Sequence, residues 1–334
     1  MVRHRYTAAA ALSLVLVVGA AACGDDDGSK VRDSGCEPAS DQASGSASAP
    51  ASGSGSSAGA GSNCDEQGAG AGSGSGIGDE VDGSQTDNAL VLSALDDYSG
   101  YVSQQVDDTI AATTVFTDAV RAGDLEAAKA AYAPSRQGWE RIEPIAGLVE
   151  EIDGSVDARV DDFAGVDDPA FTGWHRLEYL LWSQNTTSGA APFADQLDAD
   201  LQTLKTELAG LEIPPAALAV GSAELIEEVS GGKITGEEDR YSGTDLWDFA
   251  ANVEGSRQGF DLLTPALQAE DPDLVTTIDG LFDELDGQLG AYREGSGYKH
   301  YSALTDADKT EMQTTLAELS EKLASVAGVL GLES

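Results

Sequence analysis

The chain has little cysteine, few basic residues and few long apolar runs, and each shortage excludes a class of protein. Among 334 residues there are 3 cysteines, and none lies beyond Cys64. A fold built from the later residues is therefore held by packing and not by disulfides. Lysine and arginine together number 18 against 59 aspartates and glutamates, a formal net charge of −41. This balance argues against nucleic acid as a partner, because binding to phosphates needs a basic patch.

The one long apolar run near the start is typical of an export signal. A basic Arg-His-Arg segment at residues 3–5 precedes apolar residues 8–18, and three alanines precede Cys23. The run is too short for a membrane-spanning helix. Cleavage before Cys23 resembles bacterial lipoprotein processing, in which that cysteine is lipidated, although Ala20 replaces the usual leucine; an ordinary secretory signal is the alternative. We expect a lipoprotein signal peptide over residues 1–22 and an extracytoplasmic protein, periplasmic or at the cell surface, anchored by lipid to the cell membrane.

Residues 23–85 are dominated by glycine, serine and alanine, with scattered aspartate and almost no large apolar side chains. Such a composition cannot bury enough surface to offset chain entropy, so we expect a disordered tether. Cys36 and Cys64 lie within it, and an oxidising compartment would permit them to pair, although such a disulfide could equally be incidental. Residues 86–334 remain, enough for one large domain or two packed halves.

The apolar spacing in this remaining part is that of amphipathic helices. Stripes at intervals of three and four residues run through 88–121, 197–211 and 316–330, and Gly123 ends the first. Further helices are predicted over 124–149, 170–183, 215–230, 244–263 and 272–292, separated by proline, glycine and Asp-Pro. No run alternates apolar and polar residues, so strands are not expected. The prediction is an all-α helix bundle.

An internal repeat links two of these helices. Ser135-Arg-Gln-Gly138 recurs as Ser256-Arg-Gln-Gly259, from position 135 to position 256, a shift of 121 residues, and flanking Asp-Leu, Ala and Pro positions recur with it. Duplication predicts two similar helical halves packed together. The alternative is that both segments are helices of similarly biased composition.

His175 and Glu178 stand three residues apart in a segment predicted to be helical. On a helix this spacing puts both side chains on one face, so an imidazole nitrogen and a carboxylate oxygen can meet one cation. A core histidine hydrogen-bonded to its helical neighbour is the alternative. Glu140 and Glu143 repeat the spacing on another helix, where alone they would be taken as exposed carboxylates.

Asp157 and the acidic run at 237–239 supply further carboxylates. A helix bundle that gathers them around one imidazole has the composition of an oxygen-rich metal site, which suits iron, manganese or zinc. Copper(I) does not fit, because the part predicted to fold has no cysteine and one methionine, Met312.

Four motifs follow one another along the predicted helical part: Tyr132-Ala-Pro-Ser-Arg with Glu140-Arg-Ile-Glu-Pro, Gly173-Trp-His-Arg-Leu-Glu178, Lys233-Ile-Thr-Gly-Glu-Glu-Asp-Arg-Tyr-Ser242, and Thr244-Asp-Leu-Trp-Asp-Phe249. In this order they resemble the imelysin-like family, specifically its EfeO/EfeM-type iron-uptake lipoproteins, from about residue 88 to the C-terminus. Gly-x-His-x-x-Glu alone is a weak signal, whereas the four motifs together are specific. The resemblance implies two packed four-helix-bundle halves with a metal site near the Gly-x-His-x-x-Glu helix.

Carried over by position, the resemblance implies six residues around the cation: Glu140, Glu143, Asp157, His175, Glu178 and Glu238. Two features depart from the family pattern. No N-terminal cupredoxin domain precedes the helical part, where the Gly/Ser tether stands instead, as in a short EfeM-like form. Gly243 stands where family members often have histidine, so a ligand role there is absent.

The implied function is an extracytoplasmic, lipid-anchored component of an iron uptake system that captures Fe²⁺ or Fe³⁺ as cargo. It would deliver the metal to a membrane permease, alone or with a secreted haem peroxidase of the same system, and the same site is expected to bind Zn²⁺ or Cu²⁺ in vitro. One rival is a metallopeptidase, for which the family is named, but the chain lacks His-Glu-x-x-His. Others are a ferritin-like di-iron oxidase, whose paired Glu-x-x-His motifs are not found in the sequence, and a protein that binds acidic polysaccharide through bridging cations. In the leading interpretation the protein is a metal-binding component and not an enzyme.

The repeat also predicts an asymmetry between the halves. Under the same shift Glu140 falls on Asp261, Glu143 on Thr264, and His175 on Ser296. The second half is therefore expected to pack against the site as one of its walls and to have no equivalent metal site of its own. Glu238 is expected to come from the segment that joins the halves.

Overall fold

The first predicted helix is capped by a side chain at its start and by a glycine at its end. In the computed structural model, which describes Val81 and residues 84–332, helix α1 spans Ala89–Ala122. The Asn88 side chain accepts a hydrogen bond from the Leu90 N–H at the start, and Gly123 ends the helix at a φ of 75°. The signal peptide, Cys23, and the tether as far as residue 80, with Cys36 and Cys64, lie outside the described residues.

Eight more α-helices follow α1 in the described range, and the prediction of an all-α fold is confirmed. They are α2 Leu125–Ile142, α3 Glu150–Val156, α4 Gly173–Glu178, α5 Ala191–Leu208, α6 Ala217–Gly231, α7 Asp245–Glu270, α8 Pro272–Gly290 and α9 Asp306–Leu330. Short 3₁₀ turns lie at Glu143–Val149, Val160–Asp162, Lys233–Thr235 and Tyr301–Ala303, and a π turn at Tyr179–Ser183 continues α4. No helix among the described residues is long and apolar enough to cross a membrane.

The helices pack in two groups that meet along α2 and α7. In the first group α2 packs on α1, and α5 packs on α1 with the short α3 and α4 beside it. In the second group, α6, α7, α8 and α9 form a four-helix bundle. One continuous set of buried apolar residues runs through both groups. The charged side chains near the contact of α2 and α7 are therefore enclosed by packed helices on both sides.

The two Ser-Arg-Gln-Gly blocks occupy matching places in these groups. A Cβ at Gly138 would lie 2.3 Å from Thr109 Oγ1 on α1, and one at Gly259 would lie 2.5 Å from Ser222 Oγ on α6. Each glycine thus lets its helix approach the preceding long helix closely. This matching role supports duplication of a two-helix unit.

Three local features differ from the sequence prediction. The helix predicted over 124–149 ends as an α-helix at Ile142 and continues as a 3₁₀ turn, in which Pro144 has no N–H to donate. The helix predicted to start at residue 170 starts at Gly173. The expectation of no strands is wrong at one point: β1 Arg293–Glu294 pairs antiparallel with β2 Gly297–Tyr298. Two-residue strands are too short to show alternation, and Gly295, with a φ of 61°, makes their turn.

Candidate metal centre

Gly173 sets the position of α4, the short helix that carries His175. Its φ is +72°, in the left-handed region that favours glycine. A Cβ here would lie 2.1 Å from the carbonyl oxygen of Val156, at the end of α3. Because Gly173 has no Cβ, the start of α4 can approach α3 closely. Asp157 directly follows α3, and His175 lies beside it.

The imidazole of His175 is bounded by carboxylates at both of its ring nitrogens. Nε2 lies 3.5 Å from Asp157 Oδ1 and 3.7 Å from Glu238 Oε1. Nδ1 lies 3.4 Å from Glu178 Oε2. The residue is 2% exposed, and its Nε2 makes no hydrogen bond to the described residues. A buried polar atom in this condition is costly, so it is a place where a ligand would be stabilising.

Two sets of three residues could each hold a cation, and His175 belongs to both. Asp157, His175 and Glu238 form one set; His175, Glu178 and Asp239 form the other. In each set the candidate ligand atoms lie within 4.8 Å of one another, and all five residues are buried. One imidazole nitrogen with carboxylate oxygens is a donor set that fits iron, manganese or zinc.

Neutral donors orient the carboxylates of the second set. Glu178 Oε1 accepts the backbone N–H groups of Tyr241 and Ser242, at 2.8 and 2.7 Å, which leaves Oε2 facing His175. Asp239 accepts the Tyr132 hydroxyl at 2.8 Å, and also the Thr244 hydroxyl. These bonds fix the carboxylates without cancelling their charge.

Arg136, from the first Ser-Arg-Gln-Gly block, is the central cation of the cluster. It is fully buried on α2, and its guanidinium lies 5.6 Å from the Trp174 ring centroid. It makes ion pairs with four acidic side chains within hydrogen-bond distance or close to it: Glu140, Asp157, Glu238 and Asp248. A planar guanidinium with five donors suits this role better than any other side chain. Arg159 adds a second contact to Glu238 at 3.1 Å.

Glu140 and Glu143 lie in the same buried cluster but face another cation. Lys233 Nζ lies 2.6 and 2.7 Å from the two carboxylate oxygens of Glu143 and 3.2 Å from Glu140 Oε2. The Asn252 amide nitrogen donates to both carboxylates, at 2.9 and 2.6 Å. Neither glutamate belongs to the two sets around His175.

The structure therefore brings the six residues expected from the sequence into one cluster, but divides them. Asp157, His175, Glu178 and Glu238 surround the imidazole, whereas Glu140 and Glu143 surround Lys233. Sequence reasoning named the acidic run at 237–239 but assigned only Glu238 of it to the site, and it missed three other members of the cluster: Arg136, Lys233 and Asp248. The spacing of Arg136 and Glu140 by four residues on one helix was an available signal for the first of them.

Sequence reasoning also overlooked His300, which lies outside the cluster around His175. It is exposed, its Nδ1 accepts the Ser302 N–H at 3.1 Å, and its ring packs against Gly243. A Cβ at Gly243 would lie 2.2 Å from His300 Nε2. The histidine thus packs on the loop that carries Ser242 and Thr244, outside the two sets that contain His175.

The charged neighbours shift the pKa values at the site. Burial and Arg136 both lower the pKa of His175, but the carboxylates of Asp157, Glu178 and Glu238 that face the ring favour its charged form and raise the pKa well above its usual value. Burial raises the pKa of Glu178, against the effect of its bond to His175. For Asp157 burial is opposed by Arg136 and His175, which hold the pKa well below its usual range. The carboxylates around the ring thus favour the protonated form of His175.

Comparison with known proteins identifies the family to which the chain belongs. The family model described as Imelysin, Peptidase M75, matches residues 94–326. The chain belongs to the imelysin family. Among similar proteins are those named iron uptake system component EfeO of Escherichia coli strain K12, Escherichia coli O157:H7 and Shigella flexneri. Each is 48% identical over 254 residues, which cover 75% of this chain and 68% of the relative.

Proposed function

We propose that this imelysin-family protein is an extracytoplasmic iron-binding component of an iron uptake system. The observation that carries the proposal is the buried Nε2 of His175, which faces Asp157 and Glu238 without a hydrogen-bond partner among the described residues. The names of its relatives, at 48% identity, support iron as the cargo. Fe²⁺ and Fe³⁺ both accept carboxylate and imidazole ligands, and Zn²⁺ or Cu²⁺ would bind the same atoms in vitro.

The charge balance of the cluster supports cation capture. Three basic side chains, Arg136, Arg159 and Lys233, face seven buried acidic side chains: Glu140, Glu143, Asp157, Glu178, Glu238, Asp239 and Asp248. A polyvalent ion would neutralise part of the surplus negative charge. It would also replace the proton that His175 carries, because a histidine must be neutral to ligate a metal.

The proposal extends to the route of the metal. A protein anchored through Cys23 by a tether over residues 23–85 would hold the site near the membrane, where it could deliver iron to a permease, alone or with a secreted haem peroxidase. The carboxylates would capture the ion, and the internal cations that compete for them would keep its release feasible.

Titration of the full mature chain with Fe²⁺ under anaerobic conditions tests the site. The wild type should bind the ion, and His175→Ala should bind at least about tenfold more weakly, equal to about 1.4 kcal/mol. His300→Ala is the matched control, since His300 lies outside both ligand sets, and it should bind like the wild type. Equal affinity of the wild type and His175→Ala would overturn the assignment. Uptake of labelled iron by cells that carry each variant would extend the test to transport.

A metallopeptidase is the second candidate, because the family description itself includes the word peptidase. Incubation of the metal-loaded protein with unfolded casein separates the two functions. Casein cleavage that is lost in His175→Ala would favour the peptidase. We expect binding without cleavage, because the chain has no His-Glu-x-x-His and a single imidazole serves both ligand sets.

A further inference from the structure

Lys233 lies in a cage of oxygen atoms that resembles a cation site. Its ammonium group contacts both oxygens of Glu143 at 2.6 and 2.7 Å and Glu140 Oε2 at 3.2 Å. The residue is 2% exposed. The amide of Asn252 lies on the same two carboxylates, and its buried Oδ1 has no hydrogen-bond partner among the described residues. The cage thus offers carboxylate oxygens, which are ligands for a hard metal ion, to the protein's own ammonium group.

Glu238 connects this cage to the imidazole of His175. Its Oε1 lies 3.7 Å from His175 Nε2 and 3.9 Å from Lys233 Nζ. An ion held by Asp157, His175 and Glu238 would therefore share a ligand with Lys233. Two cations on one carboxylate in a dry interior repel each other strongly, because the local dielectric is low. A metal ion bound by Asp157, His175 and Glu238 would therefore repel the ammonium group of Lys233 from its present position.

Of the two cations that are fully buried, Lys233 is the one that can move. Arg136 stands in the middle of an 18-residue helix and stacks on Trp174. Lys233 begins a 3₁₀ turn of three residues, which lies between Gly232 and Gly236, and Gly236 has a φ of 88°. A lysine also has a long flexible stem and a compact charge, whereas arginine is held by a rigid fork of donors.

We infer that Lys233 is a displaceable internal cation, and that an incoming metal ion drives its ammonium group out of the Glu140–Glu143 cage. The inference rests on the proposed function, which it deepens by naming the residue that limits affinity. Glu140 and Glu143 then become available to the ion only when Lys233 leaves. The lysine competes with the cargo, lowers its affinity, and returns to the cage when the metal is released.

Amine labelling of the wild-type mature chain decides the inference. Acetic anhydride is applied with and without saturating Fe²⁺, and modification of each lysine is measured by mass spectrometry. Lys233 should be protected in the ion-free protein and at least about tenfold more reactive in the loaded one. Lys205 and Lys322, which pair with Asp107 and Glu321 outside the cluster, are internal controls whose labelling should not change. Equal protection of Lys233 in both states overturns the inference.

A substitution gives an independent measure. Lys233→Met keeps the length of the side chain and removes the competing charge, so Fe²⁺ affinity should rise at least about tenfold. Lys205→Met is the matched control, because Lys205 is half exposed and pairs with Asp107. If Lys233→Met does not fold, the labelling of the wild type still decides. Failure of the wild type to bind iron would overturn the proposed function itself, whereas binding through His175 with Lys233 still protected would overturn this inference alone.

Discussion

The two Ser-Arg-Gln-Gly blocks share their sequence and their packing but not their chemistry. Arg136 in the first block is fully buried among carboxylates, whereas Arg257 in the second lies at the surface and pairs with Asp283 and Asp286 at 2.9 and 3.1 Å. Gly138 and Gly259 serve the same purpose in both blocks. A repeated tetrapeptide thus fixes how two helices cross, while the residues that surround it determine whether its arginine binds a buried cluster or a solvated one.

Replacement of the two arginines should give the largest difference between the blocks. Arg136→Met would leave several buried carboxylates without their cation and should lower the free energy of unfolding by about 3–5 kcal/mol. Arg257→Met removes two partly exposed ion pairs and a contact with the Phe282 ring, and should cost about 1 kcal/mol. Urea unfolding of the full mature chain, followed by circular dichroism, measures both. Similar losses would mean that burial does not distinguish the two arginines.

Replacement of the two glycines tests the shared packing. Gly138→Ala would place a methyl group 2.8 Å from the backbone oxygen of Gln105, which cannot move aside. Gly259→Ala would meet side-chain atoms of Ser222 and Leu218, which can move. Both should be destabilising, by about 1–3 kcal/mol, with Gly138→Ala at the upper end. Thermal unfolding of the two variants is the measurement, and a neutral effect at either glycine would contradict the equivalence of the crossings.

Iron affinity should separate an acidic residue of the first half from one of the second half. Glu143→Ala removes a charged oxygen donor beside the site and should weaken Fe²⁺ binding at least tenfold, about 1.4 kcal/mol. Asp261, which lies in the second half and aligns with Glu140 under the repeat, is exposed. Asp261→Ala should leave the affinity unchanged. A second ion beside Asp261 in iron-soaked crystals, with occupancy like that at His175, would refute the asymmetry.

The pH dependence of Fe²⁺ binding should reflect the buried groups around His175. The pKa of His175 is raised well above its usual value, so the ion must displace its proton at neutral pH. Affinity should therefore rise with pH, by up to about tenfold per pH unit for each proton released. The same sign applies to Glu178, whose pKa is also raised. Titrations from about pH 6 to about pH 8 should show this slope in the wild type and a smaller slope in His175→Ala.

The helices were largely predictable from the sequence because their signals are local. The stripe at 197–211 became α5, the stripe at 316–330 became most of α9, and Gly123 ended α1. The spacing of His175 and Glu178 also placed both on one short helix. Periodicity and terminal residues act within a few turns, so one sequence is enough to read them.

The composition of the cluster was harder to predict because it depends on contacts between distant segments. Lys233 and Glu143 are 90 residues apart in sequence, and Arg136 and Asp248 are 112 apart. Lysine and arginine are mostly surface residues, and no local pattern marks the few that pair inside a core. Sequence reasoning therefore found the carboxylates of the cluster but not the two buried cations that lie among them, Arg136 and Lys233.

Gly173 has a consequence that reaches beyond its own backbone. The missing methyl group at this residue sets how far α4 stands from α3, and hence the gap between His175 and Asp157. Selectivity among metal ions depends on cavity size as much as on ligand type. The glycine of Gly-x-His-x-x-Glu is in this sense a spacer: although it offers no ligand atom, it would limit the radius of an ion held between His175 and Asp157.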